Sequence, residues 1–243
     1  GAFLASASMG CYSFFLMAVG WDYVDGAGIA YFLVTVLMLS WAARKENQAI
    51  WIALSGVFFG ALIYTNLVWI AFLTSLITYY VLTSYPHRIK KTFISIAAFI
   101  VGFLTITILL GVVNYAVVGK FFFFMPSISY ALNPDYTQTW RTAWYQWLPR
   151  ATWLVLPLIV LAGSLAILLL SKFRKSFEEV RLPLQKTFVI TYLLMIFLQL
   201  TGIASVLQVP FYSTYLIPSM FLAIGELLKP LAMLSKCRFA SVT

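Results

Sequence analysis

Trp21-Asp22-Tyr23-Val24-Asp25-Gly26 separates two long apolar stretches and holds the only charged residues among positions 1–43. Its two carboxylates stand three residues apart. A carboxylate at the edge of a membrane is unfavourable unless it is solvated, paired or used in a reaction. We therefore expect the function of the chain to centre on this segment.

The composition around this segment is that of an integral membrane protein. The chain is 63% hydrophobic and only 9% charged, whereas a soluble domain carries about 25% charged residues. Continuous apolar runs of roughly 20 residues, without period-two alternation, favour helices over a barrel. The net charge of +9 is assigned to loops that face an anionic leaflet, so the expected partner is the lipid bilayer and not nucleic acid.

The apolar runs predict an all-α fold, a polytopic transmembrane helical bundle of about eight spans that forms one domain over residues 1–243. Because the chain begins without Met and already inside an apolar run, we expect further spans of the native protein to precede Gly1. The eight spans are expected at residues 2–20, 27–43, 49–64, 67–85, 92–118, 152–171, 187–207 and 211–228.

The basic residues predict the orientation of this bundle. In the eight-span arrangement, thirteen of the sixteen basic residues fall on one side, which the positive-inside rule assigns to the cytoplasm. Lys120, Arg141 and Arg150 remain on the other side, together with Asp22 and Asp25. The thirteen are Arg44, Lys45, Arg88, Lys90, Lys91, Lys172, Arg174, Lys175, Arg181, Lys186, Lys229, Lys236 and Arg238.

Residues 119–151 form the one long loop that is expected on the non-cytoplasmic side. Trp140, Trp144 and Trp147 recur there at i, i+4 and i+7, which places three indoles on one helical face. This spacing predicts a short amphipathic helix in the headgroup layer, with Arg141 towards water. It equally fits an ordinary aromatic belt at the end of a span.

The two carboxylates of the opening segment have two interpretations each. Asp25 precedes Gly26 and a new apolar run, so it suits the N-cap of a span; it also suits a general base or metal ligand at a water-filled mouth. Asp22 would share a helical face with Asp25, and two acids that close suit a divalent cation or a shared proton. Taken alone, Asp22 is expected to be a solvated interfacial residue.

Other polar residues allow either a structural or a functional interpretation. Lys120, Arg141 and Arg150 are suited either to binding a lipid phosphate or to anchoring at the interface. Glu226 is expected to pair with Lys229, three residues further along the same helix.

The stretch Ala18-Val19-Gly20-Trp21-Asp22-Tyr23-Val24-Asp25-Gly26-Ala27-Gly28 resembles the second acidic loop of the GT-C superfamily of membrane glycosyltransferases. It is most similar to the dolichyl-phosphate-mannose-protein-mannosyltransferase-like and aminoarabinose-transferase-like enzymes. Residues 51–66, with Gly56 and Gly60, resemble the Gly-x3-Gly hairpin of these enzymes, and residues 211–218 resemble their late span with tyrosines and a proline. The family's first outer loop and its acid would precede Gly1, and the lysine common near Asn66 is missing.

The resemblance implies a GT-C-like membrane core that transfers a sugar from a polyprenyl-phosphate donor to a lipid, glycan or protein acceptor. The inverting reaction would take place on the periplasmic face of a bacterial inner membrane. Asp25, with Asp22 as the weaker candidate, would be catalytic, and both would ligate a divalent cation if one takes part. The lipid phosphate would be bound by Arg141, Lys120 and Arg150 beside Trp140 and Trp144.

Two other classes of function remain open from the sequence. A polytopic transporter or flippase predicts broken helices and polar groups that face each other near the bilayer midplane. A non-catalytic membrane assembly protein predicts that Asp22, Asp25 and Arg141 tolerate replacement. An enzyme similar to O-antigen polymerases would use arginines in large outer loops, which one loop with two arginines matches poorly.

Overall fold

The computed structural model of the chain describes residues 2–21, 23–44, 46–83, 89–131, 133, 143–173, 182–202, 207–208 and 216–227. All regular secondary structure in these ranges is helical, which confirms the predicted all-α class. The helices are α1 (Ala2–Gly10), α2 (Ser13–Trp21), α3 (Tyr23–Ala42), α4 (Gln48–Thr65), α5 (Leu73–Thr83), α6 (Ile89–Val118), α7 (Met125–Ala131), α8 (Trp144–Trp147), α9 (Val155–Phe173), α10 (Pro183–Thr201) and α11 (Ile217–Leu227). Short 3-10 turns occupy Leu67–Phe72, Leu148–Arg150 and Thr152–Leu154.

Four of the described helical segments are long and apolar enough to cross a membrane. They are Gln48–Thr65, Phe93–Val118, Thr152–Leu169 and Pro183–Thr201. Three further apolar helices, Gly26–Ala42, Leu67–Thr83 and Ile217–Leu227, are shorter than 18 residues. A helix needs about 20 apolar residues to span the hydrocarbon core without distortion. The membrane class is therefore supported by four helices, whereas the predicted number of eight spans is not confirmed.

The first predicted span is interrupted. The sequence predicts one span over residues 2–20, but α1 and α2 contain nine residues each and are separated at Cys11–Tyr12. The Cys11 amide donates to the Ala7 carbonyl at 3.1 Å, while the Tyr12 amide turns to the Met9 carbonyl at 3.1 Å. A nine-residue helix is about 14 Å long, so neither half crosses a bilayer by itself.

The tightest helix pair in the described bundle is α4 with α6. A Cβ atom at Gly102 of α6 would lie 1.8 Å from the Ala53 carbonyl oxygen, and one at Gly56 of α4 would lie 2.1 Å from the Phe99 carbonyl oxygen. Real Cβ atoms do not approach so closely, so the two backbones meet only because both positions are glycine. Lipid tails are as apolar as leucine, and close backbone packing through small residues is what associates helices in a bilayer. One turn further on, Gly60 faces the side chain of Ile106, where a Cβ atom would lie 2.5 Å from Ile106 Cγ2.

Hydrogen bonds establish which helix ends lie together. The Gln48 side chain at the start of α4 donates from Nε2 to the Tyr80 hydroxyl near the end of α5. That hydroxyl lies 3.2 Å from Ser95 Oγ in the early part of α6. Ser40 Oγ, at the end of α3, lies 2.6 Å from the Tyr79 hydroxyl. Successive helices therefore run in alternating directions, as the predicted spans require. We call this the Arg44 end of the bundle, after the exposed Arg44 that follows α3, and the opposite one the Asp25 end.

A buried aromatic cluster joins α3 to the 3-10 turn after α4. The rings of Phe32, Trp69 and Phe72 are fully buried, with Trp69 5.6 Å from Phe32 and 5.0 Å from Phe72 between ring centroids. The α10 helix packs against α5, and Thr191 Oγ1 of α10 donates to Ser75 Oγ of α5 at 3.0 Å. The aromatic contacts join α3 to the turn after α4, and the Thr191–Ser75 bond joins α10 to α5.

Candidate functional site

The Asp25 end of α3 is held by an intimate contact with the turn after α4. A Cβ atom at Gly28 would lie 2.8 Å from Trp69 Nε1 and 3.2 Å from Thr65 Oγ1. Asn66 ends α4 and caps the following 3-10 turn, because its side-chain oxygen accepts from the Val68 amide at 3.1 Å. This contact was not predicted from the sequence, although a glycine inside an apolar helix is a recognised signal of close packing. The contact sets the second turn of α3, which directly follows the turn that contains Asp25, against the end of α4.

Asp25 is the third residue of α3, which begins at Tyr23. The interpretation of Asp25 as the N-cap of a span starting at residue 27 is therefore wrong: the helix starts four residues earlier. A carboxylate in the first turn of a helix is stabilised by the unsatisfied amides and the positive end of the macrodipole. Asp22, proposed as its weaker catalytic partner, lies outside the described residues.

Lys120 follows α6 at the same end and is exposed. Gly119 before it has a φ of 74°, a left-handed conformation that suits glycine, and this residue ends the helix. The Lys120 carbonyl accepts a hydrogen bond from the Asn114 side chain. The backbone at Lys120 is thus held in place while its ammonium group stays in solvent.

Three of the four phenylalanines after Lys120 pack back onto the bundle, whereas Phe122 is 60% exposed. The Tyr64 ring at the end of α4 lies 4.8 Å from Phe123 and 6.0 Å from Phe124 between ring centroids. A Cβ atom at Gly111 would lie 2.8 Å from the Phe121 ring. Tyr64 follows the Gly56–Gly60 pair on α4, so the Phe121–Phe124 segment, the end of α4 and the first turn of α3 share one end of the molecule.

The predicted interfacial helix is only one turn long in the described part of the chain. Trp144–Trp147 forms that turn, and a 3-10 turn from Leu148 to Arg150 follows. Trp144 is 68% exposed, whereas Trp147 is half-buried and packs against the core, so these two indoles do not present a common exposed face. Arg150 is exposed.

Trp153, which follows this turn, donates from Nε1 to the Leu207 carbonyl at 3.1 Å. Because Leu207 follows the end of α10, this bond places Arg150 at the Asp25 end. The other two residues assigned to the helix and to phosphate binding, Trp140 and Arg141, lie outside the described residues. The helix prediction beyond a single turn therefore stays a prediction.

A metal site is not assembled by the described side chains. Among them, no three His, Cys, Asp or Glu residues come together as a potential metal site. The side chains of the proposed pair, Asp22 and Asp25, lie outside the described part of the structure, so the divalent cation stays a prediction.

Glu226 on α11 is a buried carboxylate that the sequence analysis assigned to a surface pair with Lys229. Only 5% of Glu226 is exposed, and its Oε2 accepts the Gln185 amide at 3.0 Å. Gln185 is the third residue of α10, and its Nε2 donates to the Ala223 carbonyl at 3.1 Å. Glu226 therefore caps the start of α10 from a neighbouring helix, where the macrodipole favours a negative charge. Lys229 lies outside the described residues.

Compared with protein-family models, with curated proteins and with solved structures, the chain matches none. The assignment of a function therefore rests on the residues and contacts described above.

Proposed function

We propose that this chain is the membrane core of a glycosyltransferase, which transfers a sugar from a polyprenyl-phosphate donor to an acceptor at the Asp25 end. The single observation that carries the proposal is the Gly28 contact with Thr65 and Trp69. This contact supports a fixed acidic turn of α3 beside the end of α4, at the bundle end that also bears the exposed Lys120 and Arg150. At this end, a carboxylate is suited to remove a proton from an acceptor, and the cations are suited to bind a lipid phosphate.

The proposal includes eight membrane crossings. The four long helices account for half of them. The interrupted pair α1–α2, the helix Gly26–Ala42, the hairpin partner Leu67–Thr83 and the last helix Ile217–Leu227 account for the others. The alternating helix directions given by the Tyr80 and Glu226 hydrogen bonds support this arrangement. In it, the Arg44 end faces the cytoplasm, because most loops with basic residues belong to that end.

In the proposed reaction, Asp25 removes the proton from the acceptor hydroxyl or amine, which attacks the anomeric carbon with inversion. The bond from that carbon to the phosphate oxygen breaks, and the polyprenyl phosphate leaves with the electron pair. Lys120 and Arg150, with Arg141, stabilise the negative charge that develops on the phosphate. The phenylalanines that follow Lys120 provide an apolar surface for the polyprenyl chain.

The direct test is sugar transfer by the full-length protein in liposomes that contain radiolabelled polyprenyl-phosphate sugars. We expect labelled acceptor that depends on the protein and on the phosphate-linked donor, and that is not formed from a nucleotide sugar. A protein that is folded and monodisperse but transfers no sugar from any member of a broad donor panel contradicts the proposal.

The cations at the Asp25 end give a second, independent prediction. Lys120→Gln is expected to raise the KM for the lipid-linked donor about tenfold, because a hydrogen bond from a charged donor is worth about 1.5–3 kcal/mol. Lys186→Gln is the matched control, since Lys186 is also an exposed lysine but lies at the Arg44 end beside Gln185. Steady-state kinetics at varied donor concentration measure the effect. Equal KM values for the two variants would count against a phosphate-binding role of Lys120.

A lipid-linked-sugar flippase is the second candidate, and the break at Cys11–Tyr12 favours it. Discontinuous helices are typical of transporters, where the broken backbone lines a substrate site. The same liposomes separate the two functions. A flippase moves labelled donor between leaflets without forming product, whereas the proposed transferase forms product when acceptor and donor are on the same side.

A further inference from the structure

Leu207, which follows α10, is held by side chains from two distant parts of the chain. Its amide donates to Gln199 Oε1 in the last turn of α10 at 3.0 Å, and its carbonyl accepts from Trp153 Nε1 at 3.1 Å. Only 7% of Leu207 is exposed, and it belongs to the hydrophobic core. Backbone polar groups among apolar side chains need such partners. We call these three residues and their two hydrogen bonds the Leu207 bridge.

The α10 side of the bridge is a fixed point in the bundle. Gly202 has a φ of 68° and ends α10 in the left-handed conformation, with its amide donating to the Gln199 carbonyl at 3.3 Å. In the turn before it, Met195 and Leu198 are buried. Gln199 thus closes α10 with its carbonyl and binds Leu207 with its side chain, so the position of Leu207 follows that of the helix.

The other side of the bridge leads to Arg150. Two successive 3-10 turns, one ending at Arg150 and one containing Trp153, meet at Ala151. The Ala151 amide closes the first turn, and its carbonyl accepts the Leu154 amide of the second, each at 3.1 Å. Ala151 and Leu154 are buried, whereas Arg150 is exposed. Three residues of chain span at most about 11 Å, so a shift of Trp153 is passed on to the backbone of Arg150.

An arginine that binds a phosphate depends on where its backbone is held. The planar guanidinium contacts a phosphate through two parallel hydrogen bonds, which fix both the distance and the orientation of the contact. A misplacement of about 1 Å at a reacting centre has large effects on rate. The contacts that locate the exposed Arg150 are therefore part of what it can bind.

We propose that Trp153 and Gln199 are positioning residues for the donor phosphate, because through the Leu207 bridge they fix Arg150 against the end of α10. This positioning role rests on the phosphate binding that the proposed function assigns to Arg150, and it adds the residues on which that binding depends. Trp153 and Gln199 act through Arg150 and not on the donor itself. Their replacement weakens binding of the phosphate group and leaves binding of the polyprenyl chain intact.

The test measures equilibrium binding of tritiated farnesyl monophosphate, and of farnesol as its uncharged analogue, to the full-length protein in maltoside detergent. Trp153→Phe keeps an aromatic ring and removes the donor to Leu207. We expect it to weaken binding of farnesyl monophosphate about fivefold or more, as for other residues of one hydrogen-bond network, and to leave farnesol binding unchanged. Trp51→Phe is the matched control, because Trp51 is half-buried against Trp41 at the Arg44 end.

Gln199→Met removes the other hydrogen bond of the bridge and does not depend on the folding of Trp153→Phe. Methionine is similar in length but has no oxygen acceptor, and we expect the same selective loss of farnesyl monophosphate binding. Each variant is also combined with Arg150→Gln, which by itself weakens binding of the phosphate. If the bridge acts through Arg150, neither Trp153→Phe nor Gln199→Met weakens it further in that background.

The outcomes separate this positioning role from the transfer reaction. Selective losses that do not add to that of Arg150→Gln confirm the role, and they do so even where the wild type transfers no sugar, which contradicts the transferase alone. Unchanged farnesyl monophosphate binding in both bridge variants overturns the role and leaves the transferase standing if the wild type transfers sugar. Equal losses for farnesol, losses that add to that of Arg150→Gln, or a wild type that does not prefer farnesyl monophosphate to farnesol overturn it as well.

Discussion

Gly102→Ala is expected to destabilise the protein by at least about 3 kcal/mol, at the upper limit of ordinary overpacking. The added methyl carbon would lie 1.8 Å from the Ala53 carbonyl oxygen, which is backbone and has no rotamer through which to move. The helices α4 and α6 must therefore separate along their whole contact, including the neighbouring contact of Gly56 with Phe99. Separation removes the close packing on which association in lipid depends.

Gly163→Ala provides the matched control. Gly163 lies within α9, and a Cβ atom there would meet no atom within 4 Å. The same substitution at that position should be neutral or stabilising by up to about 1 kcal/mol, because alanine favours a helix over glycine. Unfolding in mixed micelles, followed by tryptophan fluorescence, measures both. If Gly102→Ala is as stable as Gly163→Ala, the described approach of α4 and α6 is wrong.

Gly56→Ala adds a test of coupling to this experiment. Its Cβ atom would lie 2.1 Å from the Phe99 carbonyl oxygen on the other side of the same interface. Once Gly102→Ala has separated the helices, the second substitution should add little. The double variant is therefore expected to lose clearly less stability than the sum of the two single variants, as for other residues that share one contact.

Asp25→Asn carries the second large effect, which is on activity. If Asp25 is the general base or a metal ligand of the proposed transferase, its replacement should lower kcat for sugar transfer by a hundredfold or more, since such groups contribute about 10²–10⁴-fold. Asparagine is almost the same size and remains compatible with the first turn of α3. Expression and monodispersity should therefore match those of the wild type, and the free energy of unfolding should fall by no more than about 1 kcal/mol, the contribution of a charge at a helix start.

Asp22→Asn is the internal comparison, because it removes a charge from the same segment and is the weaker candidate. If kcat for sugar transfer falls much further in Asp25→Asn than in Asp22→Asn, the catalytic role belongs to Asp25. Similar large losses indicate a shared proton or a shared metal ion, and added Mg²⁺ or Mn²⁺ then separates these two cases. Full activity in Asp25→Asn reduces that carboxylate to a stabilising charge in the first turn of a helix.

Local patterns in the sequence predicted the helices but not how they meet. Apolar runs located α4, α6, α9 and α10 because length and hydrophobicity are properties of neighbouring residues. The break at Cys11–Tyr12 was missed although Gly10, the last residue of α1, is a usual signal of interruption, because the residues on both sides of it form one apolar run. The start of α3 was placed too late because Asp25 was read as a cap, although acids are equally favoured inside the first turn.

The contacts that the sequence did not predict join residues that are far apart in the chain. Glu226 and Gln185 are 41 positions apart, and no periodicity relates them, so the pairing with Lys229 was the only local alternative. Gly28 was visible as a glycine in an apolar helix, but its partners Thr65 and Trp69 belong to another hairpin. The residues of the candidate site could be selected from the sequence by their charge and by their predicted side of the membrane. That they lie together at one end of the bundle follows only from the fold.

The length of α6 has a consequence for the surrounding lipid. Its apolar part, Phe93–Val118, contains 26 residues and is about 39 Å long at 1.5 Å per residue. Only 11% of an apolar 18-residue stretch within it is buried. The hydrocarbon layer is about 30 Å thick. Its partner α4, with 18 residues, is about 27 Å long. This mismatch is relieved by a tilt of α6 or by local thickening of the bilayer, so the lipids beside α6 and those beside α4 meet apolar surfaces of different length.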